Sequence, residues 1–467
     1  MILSTMPSSH VCLMALFTSA CLTAATEAYT VFDTQCTGPT KRENFVKEPN
    51  IRGTMQIIWS SLLTIIACTW TVQHPNVPKH YRGLKKWTRP WLRAILYSLL
   101  ENGKWMVVTV LAPEYIIMAA TNNYLVAREL TEDLKSKARE DGVPWTLTHS
   151  YYALMGGFVL EDLDSVWGQV EGQVKNPEFF HLNVEELEYL RREDYISRLP
   201  AIDEEDINNR CQHDALVKAI ALVQILWSIF QAVARAARGL GVNPLEISVL
   251  AFAASAVMIY ALYWQKPHGI RSTITISLSD KGKTSFKSVY SGLLGISEYV
   301  SMPLTGFLRT GGPDRIIGDH VRLDTMSFDH NVRIGPDVFP LIGRRGFELS
   351  VLHFTLSVGA LGAAVFGAVH LGAWNFPFPS SADQLIWKTA AIHTVAYGPL
   401  ILMLFIVTEN FGGSDPLDKA INLVGIALSW VYVVARVAIL VEVVRSLFYL
   451  PPEAYIATWT SNLPHFG

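Results

Sequence analysis

The chain has 467 residues, half of them apolar and only 17% charged. Soluble domains carry about a quarter charged residues, so this composition points away from a water-soluble globule and toward a membrane protein. Lys and Arg total 38 against 41 Asp and Glu, so no basic excess points to nucleic acid as a partner.

Residues 1–28 read as a signal peptide. Val11–Thr23 is a short apolar core, and small residues follow at Ala24, Ala25 and Ala28. No Lys or Arg precedes Lys41, so the usual basic start is missing, and an uncleaved extra span is the competing reading. Residues 29–53 then form a luminal or extracellular segment.

Six apolar runs are long enough to cross a bilayer as helices: Thr54–Gln73, Ala215–Ala236, Leu245–Gln265, Leu349–Trp374, Gln384–Thr408 and Ile421–Leu447. Two further segments are ambiguous. Lys104–Tyr124 is apolar but interrupted by Pro113-Glu114, and Trp145–Leu160 is apolar but short. They read as a re-entrant hairpin or a pair of crossings, so that 54–160 holds the first span and both segments. His74–Lys104 carries seven Lys or Arg against the single acid Glu101, which makes this loop cytoplasmic and the N-terminus luminal. A seven-span rival, in which only Lys104–Tyr124 crosses, puts the 266–348 insert outside.

Residues 161–214 form a polar, acidic, helical insert. Asn183 with Glu186 three residues on is a helix start, and a second start falls near Asp203–Asp206. Residues 215–265 are a membrane hairpin, 266–348 a polar loop insert, 349–447 a three-span bundle and 448–467 a tail. Ser272–Ser279 alternates as a strand does. The expected fold is all-α: a polytopic helical transmembrane bundle of six to seven spans with polar cytoplasmic inserts. No internal repeat is visible, which counts against an inverted-repeat transporter.

The candidate chemistry lies where ionisable groups enter apolar runs. Arg436 sits centrally in the last run, where it costs about 2.5–3.5 kcal/mol even on insertion scales and so needs a partner inside the bundle. Glu442 and Arg445 lie one turn apart and can pair, with Arg436 on another face. The functional reading is a clamp for an anion or carbonyl; the bland one is a structural ion pair. His393 is mid-span and fits an acid/base role or a hydrogen bond to Tyr397 or a carbonyl. Glu114 follows Pro113 in an apolar segment and suits a general acid if buried, a solvated group if at the interface.

Other features carry less. His353 and His370 are too far apart on one helix to share a metal. Asp314, Asp319, His320, Asp324, Asp329, His330 and Asp337 match no metal-binding spacing. Gly282-Lys283-Thr284 lacks the upstream glycine of a phosphate loop, with Ser277 in its place. The five cysteines form no CxxC pair, and no cofactor motif is present.

Several strings together resemble a known group. They are RGTMQIIWSSLLTIIACTWTVQHPNVP (Arg52–Pro78), WTLTHSYYALMGGFVL (Trp145–Leu160), ALVKAIALVQILWSIFQAVARAARGL (Ala215–Leu240), YWQKPHG (Tyr263–Gly269), GAVHLGAWNFPFP (Gly367–Pro379) and VARVAILVEVVRSLFYLPPEAY (Val434–Tyr455). The chain resembles a large family of fungal multi-pass membrane proteins of no assigned activity, in which WNKP is common where this chain has Gln265. The resemblance implies a fungal source and a shared architecture, and supplies no site residues.

The expected function is a membrane-embedded enzyme performing acid/base cyclisation or isomerisation of a lipophilic isoprenoid- or polyketide-type substrate in fungal specialised metabolism. Arg436, Glu442, His393 and Glu114 would carry it, with aromatic walls, no cofactor and no metal. The alternatives are a small-molecule transporter or channel, and a non-catalytic scaffold or sensor. The expected surroundings are the lipid bilayer of the endomembrane system or plasma membrane, with a lipophilic small molecule as ligand.

Overall fold

The computed structural model describes residues 51–74, 89–160, 180–211, 214–270, 272–285, 289, 348–411 and 415–458. The expected signal peptide, most of the segment after it, residues 75–88 of the basic loop, the acid-and-histidine stretch 314–337 and the last nine residues of the tail lie outside the described residues.

Helix α1 (Thr54–Thr71) leads to α2 (Arg89–Leu111) and α3 (Pro113–Asp141). Pro113 cannot donate a backbone hydrogen bond and restricts the residue before it. Ala112 therefore leaves the helix, and the chain turns through 111° between Asn102–Leu111 and α3. α3 stops at Gly142, whose φ of 66° is the left-handed cap that glycine adopts without strain.

Next come α4 (Leu147–Leu154), β1 (Phe158–Leu160), β2 (Phe180–Leu182), α5 (Val184–Arg192) and α6 (Glu204–Asn209). The helix start read at Asn183 is a full capping box. Asn183 Oδ1 accepts from the Glu186 amide and Glu186 Oε2 from the Asn183 amide, both at 2.8 Å. Then follow α7 (Asp214–Ala237), α8 (Pro244–Tyr263), β3 (Ile274–Ile276), α9 (Asp280–Thr284), α10 (Glu348–Leu371), α11 (Ser381–Phe411) and α12 (Asp415–Ser446).

Among the described residues six helices are long and apolar enough to cross a membrane: Thr54–Thr71, Lys218–Ala237, Pro244–Tyr263, Ser350–Leu371, Ser381–Phe411 and Lys419–Tyr449. They coincide with the six expected runs to within a few residues. Their outward faces are strongly apolar: Trp59, Leu226 and Leu423 are 59%, 64% and 68% exposed. A contiguous apolar surface of this kind is unusual on a water-soluble monomer.

The chain forms two compact units, Met1–Thr69 with Ile220–Val257 and Gly359–Gly467, and Trp70–Ala219 with Met258–Val358. The second corrects the all-α expectation. Its three short strands run in the order β2-β1-β3, with β1 antiparallel to β2 and parallel to β3. Phe158 faces Leu182 on one side and Ile274 on the other. Trp145–Leu160, expected as an ambiguous membrane segment, is α4 plus β1. Eight helical residues are too short to cross a bilayer. Its apolarity comes instead from burial on both sides: Tyr152, Met155, Phe158 and Leu160 pack with Leu130, Leu134, Leu182, Leu187 and Leu190 in one core. Asp141 at the end of α3 accepts two bonds from Arg191 and one from the Leu199 amide, which fixes α5 and the following turn against α3.

The first unit is tied together by Arg235. Its buried guanidinium donates to the carbonyls of Gly241 (2.7 Å), Glu453 (2.9 Å) and Ile456 (2.9 Å), and lies 4.0 Å from Glu246. Glu246 in turn pairs with Arg52 at 2.6 Å and caps α8 through the Asn243 amide. The Arg52 amide meets the Tyr455 carbonyl, and Ile51 bridges Ile456. One cation thus joins the end of α7, the start of α8, the approach to α1 and the turn after α12. Elsewhere in this unit α10 and α11 approach on glycine. A Cβ on Gly398 would stand 2.6 Å from Ala360 Cα, and one on Gly367 2.6 Å from the Val395 nitrogen. Small residues allow this closeness between helices.

Arg235→Met leaves the Gly241, Glu453 and Ile456 carbonyls without this donor and Glu246 with Arg52 as its remaining cation, and should lower stability by about 3–5 kcal/mol, read by thermal unfolding of the detergent-solubilised chain. Gly398→Val should lower it by about 1–3 kcal/mol in the same measurement, and Gly398→Ala by less.

Candidate functional site

Helices α11 and α12 pack along one another, and their shared face with α8 is apolar: Trp387, Ala390, Ala435, Ile439, Val443, Leu245 and Ile247 form one cluster. Arg436 is set into this region. It is 3% exposed, and its guanidinium carbon lies 3.8 Å over the ring of Phe366 on α10. A ring face offers negative potential to a cation, an interaction worth about 2 kcal/mol when desolvated.

Phe366 belongs to a line of rings. Phe252 stands edge-on to it at 5.2 Å, His370 follows at 4.7 Å, Trp387 at 5.5 Å from His370 and Phe378 at 5.4 Å from Trp387. The line is pinned by polar bonds. Trp387 Nε1 donates to the His370 carbonyl at 3.0 Å, His370 Nδ1 meets the Phe366 carbonyl at 2.8 Å, and His370 Nε2 lies 3.3 Å from Ser248 Oγ. His370, not among the expected site residues, is therefore a buried neighbour of Arg436.

Glu442 is 3% exposed on the same helix as Arg436 but belongs to a different group. Its neighbours are Asp383 and Arg445. The expected Glu442–Arg445 pair is replaced: Arg445 Nη2 bridges Asp383 at 3.2 Å, across from α12 to the first turn of α11, and Glu442 lies beside that pair. Asp383 escapes a sequence reading because the apolar run starts one residue later, at Gln384, which makes the acid look like a solvated flank. It is 3% exposed.

His393 lies 6.5 Å, ring to ring, from Tyr397, but the two are not hydrogen-bonded. The Tyr397 hydroxyl is taken up by Ser429 at 3.1 Å and its ring stacks on Tyr432 at 4.1 Å. His393 Nε2 has no hydrogen-bond partner among the described residues. Glu114 falls in the second unit, 5% exposed in the first turn of α3, directly after the Pro113 break. There the amides of a helix start favour a carboxylate. Of the four expected residues, Arg436 and Glu442 share a helix, and the contacts place each in its own cluster.

A third polar feature lies where α1 and α7 meet in the first unit. Ser60, Ser61, Thr64, Gln224, Ser228 and Glu246 line a recess of about 30 Å³, room for one or two waters. Gln224 Nε2 donates to Thr64 Oγ1 at 2.9 Å, and Thr64 and Ser228 are 3.2 Å apart. Among the described residues no three His, Cys, Asp or Glu side chains gather as a metal site would require.

The fold defines a mostly helical chain with six helices of membrane-crossing length and a small mixed sheet. The chain belongs to a family of unknown function, DUF8562, whose model matches residues 26–304. That range holds α1 to α9 and Glu114; Arg436, Glu442 and His393 lie beyond it. No curated protein and no solved structure matches the chain.

Leucine is far cheaper than arginine within an apolar helix. Arg436→Leu should therefore still partition wholly with membranes after alkaline extraction. Release of the variant into the soluble fraction would show that the arginine is needed to build the bundle.

Proposed function

We propose that the chain is a multi-pass integral membrane protein that acts as an enzyme on a lipophilic small molecule beside Arg436 and its row of rings. The observation that carries this reading is the cation held against Phe366, one of a line of five rings. An arginine there can bind or polarise an anionic or carbonyl group of a substrate, and ring faces can stabilise positive charge developing on a hydrocarbon skeleton. Glu442 and Asp383 beside Arg445, together with His393, would supply and remove protons, as acid/base cyclisation or isomerisation requires. The substrate would be isoprenoid- or polyketide-like, in fungal specialised metabolism, within the endomembrane system or plasma membrane. On this reading the His74–Lys104 loop and the 266–348 insert are cytoplasmic and residues 29–53 luminal.

Transport is the second reading. Two observations favour it: the hydroxyl- and amide-lined recess between α1 and α7, and the broken α2–α3 pair, since discontinuous helices recur at substrate sites of transporters.

The test is untargeted metabolite profiling of a host strain lacking the gene, restored with the natural chain or with Arg436→Leu. The expected result is loss of one compound with build-up of a lipophilic precursor in the deletion and in the Arg436→Leu strain. An unchanged set of compounds redistributed between cell and medium would replace the enzyme with a transporter. No change at all would leave a scaffold or sensor role.

A further inference from the structure

The second unit holds a group of bases that the Arg436 region does not use. His74 follows α1, Lys218 lies near the start of α7, Tyr263 ends α8, and Lys266 and His268 come just after it. His74, Lys218 and Lys266 are 4%, 8% and 3% exposed. Lysines are almost never buried to this degree without a specific reason.

The contacts are close. The His74 ring lies 5.0 Å from the Tyr263 ring and 5.1 Å, edge-on, from that of His268. Lys266 Nζ stands 4.2 Å over the Tyr263 ring. Asn123 Nδ2 donates to the Tyr263 hydroxyl at 2.8 Å, which fixes the phenol and leaves its own hydrogen to be given. Lys218 acts differently. Its ammonium donates to the carbonyls of Trp264 (3.3 Å) and Lys266 (3.4 Å), at the negative end of α8.

Burial, together with the neighbouring bases His268, Lys266 and Lys218, holds the His74 imidazole well below its ordinary range. Burial brings the Lys266 ammonium down to about 7. His74 Nδ1 meets the Val72 carbonyl at 3.1 Å, while Nε2 has no hydrogen-bond partner among the described residues. Buried polar nitrogens are ordinarily answered, and bases crowded together are stabilised by a negative charge among them.

We propose that His74, Lys266 and His268, with the hydroxyl of Tyr263, form a binding site for a phosphate-type oxyanion at the end of α8. An oxyanion here would favour the protonated imidazole and ammonium, so that His74 Nε2, Lys266 Nζ and the Tyr263 hydroxyl each have a hydrogen to offer, which suits a tetrahedral anion with several acceptor oxygens. A phospholipid headgroup and a soluble phosphate present the same oxygens, and the end of a membrane-length helix is within reach of both. The site lies in a different unit from Arg436 and involves none of its neighbours, so either reading can fail without the other.

The experiment uses the full chain. Its melting temperature and tryptophan fluorescence are followed in neutral detergent with inorganic phosphate against chloride at equal ionic strength. They are followed again in phosphatidylcholine nanodiscs with and without phosphatidic acid. A rise in melting temperature with inorganic phosphate, weakened about tenfold in apparent affinity by Lys266→Met, establishes the site with a soluble ligand. A rise with phosphatidic acid alone, lost in the same variant, establishes it with a lipid ligand. His268→Gln carries the same comparison if Lys266→Met does not fold. No rise with either probe, or an equal rise in the natural chain and the variants, overturns the proposal.

Discussion

The Arg235 guanidinium is the contact on which the first unit depends. Helices in an apolar medium are individually stable, because each satisfies its own backbone, and if these helices cross a bilayer nothing hydrophobic drives them together there. What fixes their ends must be polar. Arg235 does this by meeting the exposed carbonyls after α12 and the loop before α8, while Glu246 balances its charge and passes the constraint to Arg52 ahead of α1. The rest of the unit is then a matter of close approach. Gly367 and Gly398 let α10 and α11 touch, and the ring line from Phe252 to Phe378 occupies the space beside them.

The apolar helices are legible in the sequence because length and composition alone define them. The starts of α5 and α6 are legible too, since an Asn or Asp followed by acids suits a first turn, and at α5 the Asn183 and Glu186 side chains satisfy its free amides. Trp145–Leu160 is not. A strand buried on both faces and a short core helix read as one apolar run, and the strands that explain it lie far along the chain. The pattern of residue types carries no information about such distant pairing.

The polar interior is half legible. An arginine in the middle of a long apolar run announces itself, and Arg436 is buried as that argument requires. Its companions do not announce themselves. Phe366, Trp387 and Phe378 look like any aromatic residues of a span, and Asp383 looks like a flank. His74, Lys266 and His268 stand just outside apolar runs, where polar residues are ordinary. Only the return of the chain to the same place shows that they meet.

That return also fixes a count. Two residues in contact lie on the same side of any bilayer the chain crosses. Val159 of β1 pairs with Thr275 of β3, and between them stand α7 and α8, an even number of membrane-length helices. His74 after α1 meets His268 after α8. If these helices cross a bilayer, the stretch from His74 to β1 must begin and end on one side. A bent pair α2–α3 that crosses twice or not at all keeps the two histidines on one face.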